Sequence, residues 1–138
     1  MKRILIALLL AFSCMAPAPV PRNTDGFQKS ITIEDPTSSE NITLFYADVP
    51  LTVYKVNTVV SGTSPSVTFN VKFASTRTAS GTALFSSDQA VTSTTGGDEL
   101  VTFANASISK NTWVWVTTSA TSGTVNEASI TVLMRIAQ

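Results

Sequence analysis

The sequence has no histidine and a single cysteine, Cys14, and only 13% of its 138 residues are charged. Without histidine there is no Ser-His-Asp arrangement for acyl transfer. A zinc site of the imidazole or thiolate kind has no ligands beyond residue 14. An internal disulfide framework is excluded for the same reason, so stability must come from a core or from association between chains. No glycine-rich phosphate loop precedes a helix, and no cofactor is expected. The nine basic and nine acidic residues cancel, and removal of Lys2 and Arg3 with a cleaved leader makes the balance slightly acidic. A clustered basic face of the kind nucleic acid requires is missing, so no nucleic-acid partner is expected.

Serine and threonine, by contrast, number 38 of the 138 residues. Thr, Val and Ile carry branched β-carbons that fit a pleated sheet better than a helix. The clearest strand pattern is residues 66–73. There Val67, Phe69, Val71 and Phe73 project to one side of an extended chain, and Ser66, Thr68, Asn70 and Lys72 project to the other. Similar runs are expected at 30–34, 41–46, 51–61, 82–85, 89–95, 99–104, 112–118 and 127–136. In 51–61 the apolar phase breaks: Leu51 and Val53 share one face, while Tyr54, Val56 and Val60 share the other. A β-bulge near residues 54–56 would reconcile them. Residues 61–65, Ser-Gly-Thr-Ser-Pro, are expected to turn the chain so that 51–61 and 66–73 form an antiparallel hairpin. Residues 119–124 are expected to turn it again. No segment has helical apolar periodicity. The expected fold is all-β, an antiparallel two-sheet β-sandwich of jelly-roll-like type with eight or nine strands.

Residues 1–14 have the layout of a signal peptide, with basic Lys2 and Arg3 ahead of the apolar run 4–12. That run would span about 14 Å as a helix, too short for a bilayer core of roughly 30 Å. Ala11-Phe12-Ser13 before Cys14 resembles a lipobox, which makes Cys14 a lipidation candidate and a lipid on it the one expected route to a membrane. An ordinary secretory leader and a mispredicted start codon are the alternatives. Residues 15–28, with three prolines, then read as a linker, and residues 29–138 as the β-sandwich domain.

Trp113 and Trp115 are the most informative side chains. Two apart on a strand, they share a face at a spacing of about 7 Å, on which a cell-surface glycan or a partner protein could stack. The structural alternative puts this face in the core, with Val114 and Val116 outside or against a neighbouring subunit. Asp88, Asp98, Glu99 and Glu127 would make an oxygen-ligand site only if distant loops met, and Asp98-Glu99 reads more simply as a solvated turn. No metal and no catalytic residue is expected.

One resemblance spans about residues 30–136. The order Thr37-Ser38-Ser39-Glu40-Asn41-Ile42-Thr43, Phe45, Leu51-Thr52-Val53, Pro65-Ser66-Val67-Thr68-Phe69, Gly81-Thr82, Ala106-Ser107-Ile108, Trp113-Val114-Trp115 and Thr121-Ser122-Gly123-Thr124-Val125 resembles small β-sandwich proteins of tailed bacteriophages. The resemblance implies a non-enzymatic, virion-associated structural protein, such as a capsid decoration, tail or fibre component. It also implies assembly as a homo-oligomer or with other virion proteins. The leader and the tryptophan pair point to an alternative, an exported surface lipoprotein or carbohydrate-binding module anchored at the bacterial envelope.

Overall fold

Two strands of 24 and 25 residues run antiparallel along almost their whole length and carry every other strand on their flanks. The computed structural model describes residues 26–137, so the leader, Cys14 and most of the expected linker lie outside the described residues. Eight strands are present among them: β1 (Phe27–Glu34), β2 (Asn41–Ala47), β3 (Leu51–Ala74), β4 (Thr82–Ala83), β5 (Gln89–Val91), β6 (Asp98–Leu100), β7 (Ser107–Ile108) and β8 (Thr112–Ile136). β1 and β2 pair with the outer edge of β8, and β4 to β7 pair with the outer edge of β3. The fold is all-β and antiparallel, as the alternating patterns require.

All eight strands belong to one hydrogen-bonded sheet, yet that sheet forms two layers. A straight 24-residue strand would reach roughly 80 Å. Ala47, at the end of β2, lies opposite Thr112, whereas Leu51, at the start of β3, lies opposite Ile136. On a flat sheet those positions would sit at opposite ends of the ribbon. Three residues join them, a link of about 15 Å at most, so the β3–β8 ribbon must double back on itself. The first layer holds β1, the C-terminal half of β8, the N-terminal half of β3, β6 and β7. The second holds β2 with the remaining halves of β8 and β3, and β4 and β5. Between them lies one apolar core that includes Val56, Val60, Phe69, Val71, Val116 and Val132.

Side-chain parity along β3 records how the ribbon bends. Leu51 and Val53 are buried, then Val56, Thr58 and Val60, then Val67, Phe69 and Val71, so the inward set changes parity twice. The first change falls at a register shift between Val53 and Lys55, the bulge expected from the broken phase. The second falls at the corner, where the register shifts between Ser61 and Gly62 and again between Thr63 and Ser66. Ser64 and Pro65 drop out of the ladder there, which suits a proline with no N–H to donate.

The corner corrects the expected hairpin. Residues 61–65 do not reverse the chain, because β8 continues opposite them and supplies hydrogen-bond partners through the bend. Residues 119–124 are likewise part of β8 and not a turn. Gly123 adopts φ 70° with its α-carbon packed against the Ser64 carbonyl, a position where any β-carbon would collide with backbone. The β1–β2 connection is tied to β8 by Thr118, whose hydroxyl donates to the Thr37 carbonyl and accepts from the Glu40 amide at 2.8 Å. The expected strands at 82–85, 89–95 and 99–104 shorten to two or three residues each. There Leu84 and Phe85 fill the core from irregular backbone, with Phe85 edge-on to Phe69 at 6.0 Å.

Phe69→Ala is expected to cost about 3–5 kcal/mol in urea denaturation, and Thr68→Ala to stay within about 0.5 kcal/mol. Gly123→Ala is expected to cost roughly 1–3 kcal/mol from backbone strain alone. Wild-type stability for Gly123→Ala would contradict the bent ribbon.

Candidate partner-contact face

Along the start of β8 the side chains alternate strictly. Val114 and Val116 are fully buried in the core, so Trp113 and Trp115 point to the outer face of the second layer. This corrects the reading in which the tryptophan face is the core. The two rings nevertheless have opposite fates: Trp113 is 37% exposed and Trp115 only 2%. They do not form a shared stacking platform.

Trp115 is covered from outside by the chain that follows β3. Arg77 lies over its ring, with the guanidinium carbon 4.6 Å from the centroid, close enough for a cation–π attraction. The same guanidinium bridges to β2. Nε donates to the Thr43 hydroxyl at 2.9 Å, and Nη2 donates to the Asn41 carbonyl at 2.9 Å and the Asn41 side-chain oxygen at 2.6 Å. Gly81 closes the cover. It adopts φ 74°, and a β-carbon there would fall 2.5 Å from the Trp115 ring. Nothing in the sequence pattern around Trp115 announces this, because Arg77 and Gly81 belong to a polar loop some 35 residues away.

Trp113 instead pairs with Tyr46, directly opposite it on β2. Their ring centroids are 4.9 Å apart and tilted by 58°, a favourable aromatic geometry worth about 0.5–1.5 kcal/mol beyond burial. The Tyr46 hydroxyl points to the side-chain oxygen of Asn111 at 3.4 Å, and Asn111 holds the left-handed φ of 59° that starts β8. Tyr46 is 45% exposed. A half-exposed aromatic pair on a rigid sheet face offers large apolar area at little entropic cost, the property that makes Trp and Tyr frequent interface anchors.

The outer face of the first layer is different in kind. Ser30 and Thr131 share a hydrogen bond of 2.8 Å, and a groove of about 220 Å³ beside them is lined by Asn57, Val59, Gly97, Glu99, Ser129 and Thr131. Its acidic groups are committed elsewhere: Glu99 pairs with Lys55 at 2.9 Å, and Asp98 accepts the amides of Thr92 and Ser93. Among the described residues no three His, Cys, Asp or Glu side chains come together.

Asp88 braces the second layer from its edge. Hydrogen bonds from the Ser119 hydroxyl and then from the Asn70 amide hold its carboxyl below the ordinary value of 3.8, against a smaller opposing effect of burial and with Lys72 adding to the lowering. Asn70 itself is buried; it donates to Asp88 at 2.9 Å and to the Phe85 carbonyl at 3.4 Å, and it accepts the Phe85 amide at 3.3 Å. A carboxyl with a depressed native pKa contributes stability that is present above its unfolded value and lost as pH falls through its native value. Asp88→Asn is therefore expected to flatten the loss of stability below about pH 4, as read from unfolding midpoints across a pH series. Gly81→Ala is expected to lower stability by roughly 1–3 kcal/mol and Arg77→Ala by a similar amount. Gly96→Ala, with nothing within 4 Å of the added carbon, is expected to stay within about 0.5 kcal/mol.

No protein-family model matches the sequence, and no curated protein does. Among solved structures the chain is similar to the cyanophage Pam1 capsid asymmetric unit, at 15% identity and a TM-score of 0.47, over 96% of this chain and 100% of that one. It is also similar to the structure of infectious bursal disease virus, Gx strain, at 14% identity and a TM-score of 0.35, over 89% of this chain and 41% of that one.

Proposed function

We propose that the protein is a non-enzymatic structural component of a phage virion, of the capsid decoration, tail or fibre type, and that it docks through the outer face of its second layer. The observation that carries the docking role is the exposed Tyr46–Trp113 pair on a sheet whose edges are closed to strand addition. Lys29 lies opposite Val132 in the ladder and so projects from β1 to the core side of a free edge, where an inward charge opposes pairing with another strand. The free edge of β2 is interrupted by the register shift between Thr43 and Phe45, and Arg77 occupies the Asn41 carbonyl. The long edge of β3 carries only two- and three-residue strands. Association is thereby directed to faces, and the face that carries the exposed aromatic pair is that of the second layer. The assignment to a virion is supported by the order of strand and turn motifs from residue 30 to 136.

Mass spectrometry of purified particles beside the host membrane fraction tests this reading. The protein is expected in particles, and Trp113→Ser is expected to reduce its incorporation at least tenfold while leaving its unfolding midpoint close to wild type. Recovery only from membranes, beginning at an acylated Cys14, would overturn the virion assignment in favour of an exported lipoprotein.

A further inference from the structure

We infer that two copies of this chain associate through the outer faces of their second layers, about a two-fold axis passing near the Tyr46–Trp113 pair. The inference rests on the docking role proposed for that face, and it names the occupant.

The outward positions of the second layer form rows across the strands. Tyr46 lies opposite Trp113, which lies opposite Ala74; the next outward row is Thr43, Trp115 and Lys72, with Arg77 over it. On the other side of the aromatic row, just past the end of β2, stands Asp48. The order along the strand direction is therefore acidic, aromatic, basic, with a step of about 6–7 Å from the aromatic row to the Trp115 row. A surface with that order is complementary to itself under a two-fold rotation. The rotation lays the aromatic row on its own copy and carries each Asp48 toward the Arg77 and Lys72 of the other chain.

The charges of Asp48 and Arg77 are available for this, while Lys72 also acts on Asp88 of its own chain. Among the described residues the ion pair is Lys55–Glu99, and neither Asp48 nor Arg77 has an intramolecular one. The hydrogen bonds of Arg77 use Nε and Nη2, which leaves Nη1 outside them. Bridging to Asn41 and Thr43 also holds the guanidinium in place before association, so little side-chain freedom is lost on pairing. Lys110, in the β7–β8 connection at the Asp48 end, is a like charge that the same rotation brings toward Arg77. The dimer is accordingly expected to be weak and sensitive to salt.

Sedimentation velocity on the chain purified from its producing cells, from roughly 1 to 100 µM and at low and high salt, tests the inference. The wild type is expected to dimerise. Trp113→Ser and Asp48→Lys are each expected to raise the dissociation constant at least tenfold, and Lys110→Glu to lower it. Ser30→Lys, on the opposite outer face, is expected to leave it unchanged, with circular dichroism and urea midpoints confirming that every variant folds. A wild type that stays monomeric throughout, or a dimer indifferent to both Trp113→Ser and Asp48→Lys, overturns the inference. If the wild type is monomeric while Trp113→Ser still abolishes incorporation into particles, the docking role stands and the second copy is not its occupant.

Discussion

The structure depends on one constraint, that the paired β3–β8 ribbon is far longer than the domain and must fold over without losing its ladder. Most two-layer β folds change layer through a loop. Here both central strands pass from one layer to the other still hydrogen-bonded, so the bend has to be absorbed locally. Register shifts at Ser61/Gly62 and Thr63/Ser66, the omission of Pro65 from the ladder and the left-handed backbone of Gly123 absorb it. Each apolar half-face is then covered by the other half, and no helix is needed to build the core.

The same geometry makes the two outer faces unequal. On the first layer Ser, Thr and Asn side chains share the surface with the separate exposed side chains of Tyr54 and Val59. On the second, β8 places two tryptophans outward, and the loop after β3 must deal with them. Arg77 and Gly81 cover Trp115, which turns a second exposed aromatic into a buried brace between β8 and β2. Trp113 is left beside Tyr46, close to the end of the sandwich where β2 hands the chain to β3. The face proposed for docking is thus an aromatic pair with Asp48 past it on one side and two cations on the other, on a sheet with guarded edges.

Much of the fold is legible in the alternation of residues. Val67, Phe69 and Val71 point inward as their period demands, and the phase break between Val53 and Val56 locates the Tyr54 bulge. Those signals are local, because parity along an extended chain follows from backbone geometry alone. The turn chemistry of residues 61–65 and 119–124 misleads for the complementary reason. Gly, Ser and Pro signal a departure from regular extended backbone, and a corner in a continuous strand needs the same residues as a reversal. Whether the chain turns back or bends onward is decided by what lies opposite, and that is β8, some 60 residues later.

The candidate site divides in the same way. Alternation determined that Trp113 and Trp115 share a face, that Val114 and Val116 share the other, and that the chain forms an all-β fold, and composition determined that it has no histidine- or cysteine-based chemistry beyond residue 14. Which face meets the core, and which tryptophan stays at the surface, was decided only by tertiary structure. Burial is a property of what packs against a side chain, and the groups that pack here, Arg77 and Gly81 over Trp115 and Tyr46 beside Trp113, reach it from distant segments of the sequence.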